Sequence, residues 1–385
     1  MKSLWFLLAL AACGESKSVS PGGPPATPVT PGSSGALVRD AQVPVDADVA
    51  ALAGDKMYAA LCAPCHGTDL RGYGADNAPS LVTQSYLESA SNEFLQRSIA
   101  TGRPGTSMAA YGKKLGGPLD DAAIERLVGY IRAQGVPAIA LPAVPTGDAA
   151  AGAPLYLTNC VVCHGDRQSR REGIHLANMM FQAQASDAFI KHAIVNGRLG
   201  TKMVAFGQIL SDKNINDLVA FIRTFGPAGG QSATQPQVMQ LPAPTGKEPL
   251  VIHPKGKDPG WKLREDRFVS VDAANAAYKA GAKMVIIDAR PPSDWMRSHI
   301  EGAVSIPYHD MKRLADIPKD TWVITYCACP HHLSGLVVDE LRKRGHLKSA
   351  VLDEGINDWH RKGYPMTVAE GVTAPIAEDH TGHAH

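Results

Sequence analysis

The stretch GDKMYAALCAPCHG, residues 54–67, returns as GAPLYLTNCVVCHG at 152–165. Each copy ends in Cys-x-x-Cys-His, at 62–66 and 160–164. Two intervening residues bring both thiols over one edge of a flat ligand, and the next residue supplies an imidazole beneath it. This spacing is the signature of covalent c-type haem attachment. A redox dithiol does not need the histidine, least of all twice. A tetrahedral zinc site wants a second cysteine pair in the same domain, and neither copy has one. The reading is therefore two covalently bound haem c groups, on Cys62 and Cys65 and on Cys160 and Cys163, with His66 and His164 as proximal iron ligands.

Working outward, ATGRPGTSMAAYG at 100–112 matches VNGRLGTKMVAFG at 195–207, and ERLVGYIRAQG at 125–135 matches NDLVAFIRTFG at 216–226. Three blocks in one order make a tandem duplication. Each copy predicts a helix running up to the first cysteine, a glycine-rich middle and a final helix with apolar residues at helical spacing: Ile124, Leu127, Val128 and Ile131, then Ile215, Leu218, Val219 and Ile222. In the first copy the only methionines are Met57 and Met108. Met57 lies on the helix leading into the motif, on the wrong side for the haem, so Met108 is the expected sixth ligand. The repeat then selects Met203, with His175 and Met179 as competitors, because IHLANMM at 174–180 has no counterpart in the first copy. Histidine–methionine ligation raises a haem's potential relative to two histidines.

Residues 49–226 resemble two class I cytochrome c domains in tandem. Gly54 and Gly152 lead the first helices, and Tyr58 and Tyr156 stand four residues before the first cysteines. Pro79 matches the family's loop proline beside the proximal histidine; the second copy lacks it. A buried porphyrin also supplies the core that domains of this size lack.

From 283 the text changes to KMVIIDAR, a continuous apolar run of the kind found in a buried parallel strand. GAVSIP (302–307), WVITYC (322–327), a helical LVVDELRKRG and AVLDEG (350–355) complete an α/β pattern. IIDARPPSDW, SHIEGAVSIP, the strand ending in Tyr-Cys and VLDEGINDWHRKGYP resemble a rhodanese domain over about 265–366. The resemblance implies a nucleophile at the strand's end that carries a persulfide, here Cys327. In YCACPHHLSG (326–335) the loop departs from the family. Cys329 is a candidate resolving thiol, and His331 and His332 stand where an arginine often helps bind the anion. Three readings compete: sulfane-sulfur transfer by Cys327, a soft-metal site of the two cysteines and histidines, and an inactive docking module. Arg290 and His299 match positions that are structural in that family.

The start, MKSLWFLLALAACG, has an apolar run far short of the ~20 residues that span a bilayer, so it reads as an export signal. Leu10-Ala11-Ala12-Cys13 resembles a bacterial lipobox, which implies lipidation of Cys13 and an anchor on the periplasmic side of a membrane; Gly14 favours the outer one. The expected organisation is a multidomain chain. A signal covers 1–12, a Pro/Gly/Ser tether 13–48, and all-α cytochrome c domains 49–135 and 146–226 about a linker at 136–145. A spacer at 227–262, an α/β rhodanese-like domain with a parallel sheet at 263–370 and a plain histidine-containing tail at 371–385 follow. A net charge of +1 over 385 residues argues neither for a nucleic-acid partner nor for strong electrostatic attachment to an acidic surface, and no nucleic acid is expected. The expected partners are redox proteins and thiosulfate, polysulfide or another sulfane-sulfur species, with the membrane reached through the lipid.

Overall fold

The computed structural model describes residues 47–75, 77–226, 240–328 and 332–372. Cys13 with the signal and tether, Cys329, His331 and the histidine tail lie outside them. Among the described residues no helix is long and apolar enough to cross a membrane.

In the first repeat α1 (Gly54–Leu61) runs into α2 (Ala63–His66), followed by α3 (Gln84–Ser89), α4 (Asn92–Thr101) and α5 (Asp121–Arg132). The second repeats the plan with α6 (Ala149–Asn159), α7 (Val161–His164), α8 (Met179–Gln184), α9 (Asp187–Asn196) and α10 (Asp212–Arg223). Asp120 and Ser211 cap the last helices through Ala123 N and Asn214 N. First and last helices cross closely in each repeat, and glycine is required there. A Cβ on Gly54 would lie 2.8 Å from Arg126 O, and one on Gly152 would lie 2.1 Å from Asp217 O.

The repeats pack on each other reciprocally, α3 on α9 and α4 on α8. At a sequence offset of 95, α3 is the counterpart of α8 and α4 of α9, so the contact is isologous within one chain. Phe94 and Phe189, counterparts in α4 and α9, meet with ring centroids 4.7 Å apart.

The C-terminal domain builds β1 (Phe268–Val269), α11 (Val271–Lys279), β2 (Met284–Asp288), α12 (Pro292–Trp295), β3 (Ser298–Ile300), β4 (Val304–Ser305), β5 (Trp322–Tyr326), α13 (Leu333–Lys343), β6 (Ser349–Leu352), α14 (Gly355–Arg361) and β7 (Met366–Val368). Its five-stranded sheet has the order β1-β6-β5-β2-β4, with every pair parallel; β3 and β7 form a small antiparallel pair. β2 is buried throughout, which explains its unbroken apolar run. Val285 and Ile287 face one core, which is continuous with that of the cytochrome repeats, while Met284 and Ile286 face the other.

The spacer expected at 227–262 is not free along its length. Residues 240–262 lie against the α/β domain through an Ile252–Met284 bridge, a Trp261–Trp322 edge contact at 5.4 Å and a Glu248–Arg313 ion pair at 3.2 Å. Apolar and ionic side chains spaced among its prolines give it packing that composition alone does not reveal.

Candidate functional site

Each Cys-x-x-Cys-His segment occupies one helical turn. Cys62 N bonds Tyr58 O, ending α1, and His66 N bonds Cys62 O at 2.8 Å; Cys160 and His164 repeat this at 2.9 Å. All four thiols are free rather than disulfide-bonded. Burial, then the neighbouring thiol, pushes Cys62 up to about 12 and Cys160 up to about 11. The two motif histidines, expected as proximal ligands, are fixed in the same way. His66 Nδ1 is 2.9 Å from Pro79 O, and His164 Nδ1 is 2.9 Å from Ile174 O. A ring nitrogen donating to a carbonyl leaves Nε2 with its lone pair, the orientation a metal-ligating imidazole requires. Burial lowers both imidazoles below the ordinary histidine value and keeps them neutral. The second copy therefore does without the proline: a backbone carbonyl does the holding, and Ile174 supplies one.

The methionine loops repeat the same hydrogen bonds. Arg103 N bonds Met108 O at 2.7 Å and Arg198 N bonds Met203 O at 2.8 Å. Thr106 Oγ1 and Thr201 Oγ1 each accept the methionine N–H at 3.1 Å. Of the competitors, His175 turns its Nε2 to Asp166 O at 2.9 Å, and Met179 sits exposed at the start of α8. Open apolar side chains gather in the second repeat, including Val162, Leu199 and Val204. The residues present fit haem: free thiol pairs on one turn, an oriented neutral imidazole, and a methionine loop with its own bracing.

Cys327 directly follows β5, a strand in the interior of the sheet, and His332 leads α13. The thiol is 1% exposed and lies 3.3 Å from Ser334 Oγ. Gly355 has φ +67°, and a Cβ there would come within 2.8 Å of Cys327 O. Arg290 grips Asp288 through Nε and Nη2 at 2.9 and 2.6 Å, and Tyr326 OH donates to the same carboxylate at 3.0 Å. Burial opposes the Arg290 charge, but Asp288 outweighs it and holds the guanidinium protonated. His299 stacks on Trp295 at 3.8 Å. These groups brace the strand ends rather than face a ligand.

Sequence reading missed a seam between the domains. Tyr308 OH donates to Leu61 O at 2.8 Å and lies 2.9 Å from Tyr111 OH, which also reaches Leu61 O at 3.2 Å. Ser293 Oγ donates to Ala110 O at 2.6 Å, two residues beyond Met108. A small cleft joins Met108 and Thr101 to Ser293, Asp294 and Arg297. Nothing local in the sequence announces Tyr308 as an interface residue.

Residues 49–131 and 147–222 match the family described as cytochrome c oxidase, cbb3-type, subunit III, and residues 270–362 match the rhodanese-like domain. Among curated proteins, the chain is 30% identical over 199 residues to a cbb3-type cytochrome c oxidase subunit FixP of Bradyrhizobium sp. (strain ORS 278), covering 48% of this chain and 66% of that protein. It is 31% identical over 187 residues to the FixP subunit of Azorhizobium caulinodans, covering 46% and 60%. It therefore spans just under two thirds of the length of these relatives. A solved rhodanese-like domain from Anabaena is 23% identical, covering 32% of this chain and 94% of that one, with a TM-score of 0.26. The chain thus joins cytochrome c domains of the cbb3-type subunit III kind, which imply covalently bound haem c, to a C-terminal rhodanese-like domain.

Proposed function

We propose that this c-type electron-transfer protein carries two haems, works on the periplasmic side of a bacterial membrane to which a lipid on Cys13 ties it, and handles sulfane sulfur in its rhodanese-like domain. The observation that carries the dihaem reading is the duplicated motif with both proximal imidazoles fixed through Nδ1. Cys62, Cys65, Cys160 and Cys163 hold the groups; His66 with Met108, and His164 with Met203, ligate them. When bound, haem supplies reversible one-electron storage. The chain's residues orient the ligands and exclude water, which lowers the reorganisation that accompanies a change of charge.

At the sulfur site the Cys327 thiolate would attack the outer sulfur of thiosulfate. A Cys–S–S bond forms, the sulfur–sulfur bond of thiosulfate breaks and sulfite leaves with its electron pair, with no net oxidation. Cys329 would resolve the persulfide by attack of its thiolate on the inner sulfur: a Cys327–Cys329 disulfide forms, the persulfide S–S bond breaks and the outer sulfur leaves as hydrosulfide with the electron pair. A specific observation favours a second reading, an inactive docking module: Cys327 is buried, whereas reactive thiols are partly exposed, and the domain's tyrosine is built into the seam with the first repeat.

Intact-protein mass spectrometry of the haem-loaded chain after thiosulfate or polysulfide, with the visible spectrum recorded alongside, separates the two. A gain of one sulfur that is lost in Cys327→Ser supports transfer, and simultaneous haem reduction joins the halves. No gain and an unchanged spectrum leave an electron carrier with a docking module. Fewer than two covalent haems defeats the dihaem reading.

A further inference from the structure

We propose that a continuous covalent and hydrogen-bonded route through Tyr326, Ala289, Tyr308 and Leu61 carries electrons from Cys327 to the haem of the first repeat, with hydrosulfide as the sulfur species oxidised there. This rests on the dihaem and sulfane-sulfur readings. It adds to them the reductant, the haem that receives the electrons and the residues between the two.

The route starts at Cys327, whose nitrogen is bonded to the carbonyl carbon of Tyr326. Ala289 N donates to Tyr326 O at 2.9 Å, and Tyr308 N donates to Ala289 O at 2.9 Å. The Tyr308 side chain then crosses the domain seam, where its hydroxyl donates to Leu61 O at 2.8 Å. The Leu61 carbonyl carbon is bonded to the nitrogen of Cys62, one of the two thiols expected to hold the first haem. Three hydrogen bonds of ordinary length, and otherwise covalent bonds alone, thus join the two cysteines. Cys327, Tyr326, Ala289, Tyr308 and Leu61 are all buried. Electronic coupling passes through covalent and hydrogen bonds more readily than across an unbonded gap, and a dry interior has little solvent to reorganise.

The burial that argues against a large substrate at Cys327 selects a small one. Hydrosulfide brings a single heavy atom to the buried thiol, and Ser334 Oγ, 3.3 Å from that sulfur, is placed to donate to a thiolate. The reaction joins the Cys327 thiolate and a hydrosulfide ion in a Cys–S–S bond and sends the hydrosulfide's proton to solvent. The sulfur pair is oxidised by two electrons, which travel singly along the route. Two ferric haems are reduced, by one electron each, until a redox partner protein draws the electrons off. Because Tyr308 ends on Leu61 O, and Ser293 bonds Ala110 O beside Met108, the α/β domain meets the first repeat on the side of its expected haem. The first haem is therefore the point of entry.

The test mixes the full ferric, haem-loaded chain with hydrosulfide in the absence of oxygen. Haem reduction is followed by the visible spectrum and sulfur on Cys327 by intact mass, in the wild type, Tyr308→Phe, Tyr111→Phe and Cys327→Ser. The Cys327→Ser rate measures reduction that bypasses the route and is subtracted. Each tyrosine variant removes one hydroxyl from the same carbonyl, but Tyr111→Phe leaves the Tyr308–Leu61 bond in place. Tyr111 still satisfies Leu61 O in Tyr308→Phe, so both variants fold, and their urea midpoints check that they are matched. The remaining reduction rate is expected to fall severalfold in Tyr308→Phe and to hold at the wild-type value in Tyr111→Phe, with sulfur appearing on Cys327 at the pace of haem reduction. Loading of Cys327 from thiosulfate, which sends no electrons to the haems, should be equal in the two. Equal hydrosulfide-driven rates in the two tyrosine variants overturn the proposal. So does wild-type reduction no faster than that of Cys327→Ser in a chain that still takes sulfur from thiosulfate. A Cys327 that takes no sulfur from thiosulfate or polysulfide defeats the sulfur reading instead, and a chain without two haems defeats the dihaem reading; both are measured before hydrosulfide is added.

Discussion

Leu61 O is an orphan created by the sequence. Its i+3 partner is Pro64, which has no N–H, and the N–H of Cys65 turns to Cys62 O instead. The carbonyl is buried at the junction of two domains, and among the described residues the hydroxyls of Tyr111 and Tyr308 are the groups that reach it. Replacing Tyr308 with Phe removes one donor but leaves Tyr111 on the oxygen, so the cost is that of one ordinary hydrogen bond, about 1 kcal/mol. Tyr111→Phe is equivalent. The double variant strips the carbonyl, and an unsatisfied buried acceptor adds about 1–3 kcal/mol, for a total of ~3–5 kcal/mol. The coupling energy is therefore at least about 1 kcal/mol, well outside the ~0.5 kcal/mol within which independent sites add. Urea unfolding of the haem-loaded protein measures it with two probes. The tryptophans among the described residues, Trp261, Trp295, Trp322 and Trp359, all report on the α/β part and its flanking segment, while Soret absorbance reports on the cytochrome repeats. The two transitions should coincide in the wild type and separate in the double variant. Additive single effects with unseparated transitions would refute the argument.

Asp288→Asn should destabilise the α/β domain by about 3–5 kcal/mol, since it leaves the buried Arg290 without its counter-charge; tryptophan fluorescence in urea measures this. The Asp217 carboxyl is held below its ordinary value first by the Asp148 N–H and then by Lys213. Its folded value being depressed, its contribution is complete above the ordinary carboxylate pKa of ~3.9 and fades as pH falls through the lowered folded value. Melts of the second repeat at pH 7 and pH 3 should therefore differ less in Asp217→Asn than in the wild type. Cys160→Ser with Cys163→Ser should leave one covalent haem, counted by intact mass and by the spectrum in pyridine.

Much of this protein was legible in the chain because its information is local. Cys-x-x-Cys-His specifies its own helical turn, the capping residues Asp120 and Ser211 announce their helices, and the apolar run of β2 declares a strand buried on both faces. The duplication served as an internal control, since a residue held in both copies, such as Met108 and Met203, is marked without any other sequence. Less legible was whatever depends on a carbonyl rather than a side chain. The histidine of the second motif needed only Ile174 O, and any residue offers one. The spacer's proline content concealed its packing, because Ile252 and Trp261 act only on partners, Met284 and Trp322, that are far along the chain.

By itself, then, the sequence determined the type and order of the elements, the haem-binding chemistry and the parallel α/β character of the last domain, all of which rest on spacing within a few residues. Only the tertiary structure decided that the two repeats meet about a pseudo-twofold axis with Arg103 and Arg198 crossing the seam, that Tyr308 closes a carbonyl 247 residues away, and that Cys327 is buried. Those are matters of which surfaces exclude water together. They depend on the fit between distant parts of the chain, which no local pattern encodes.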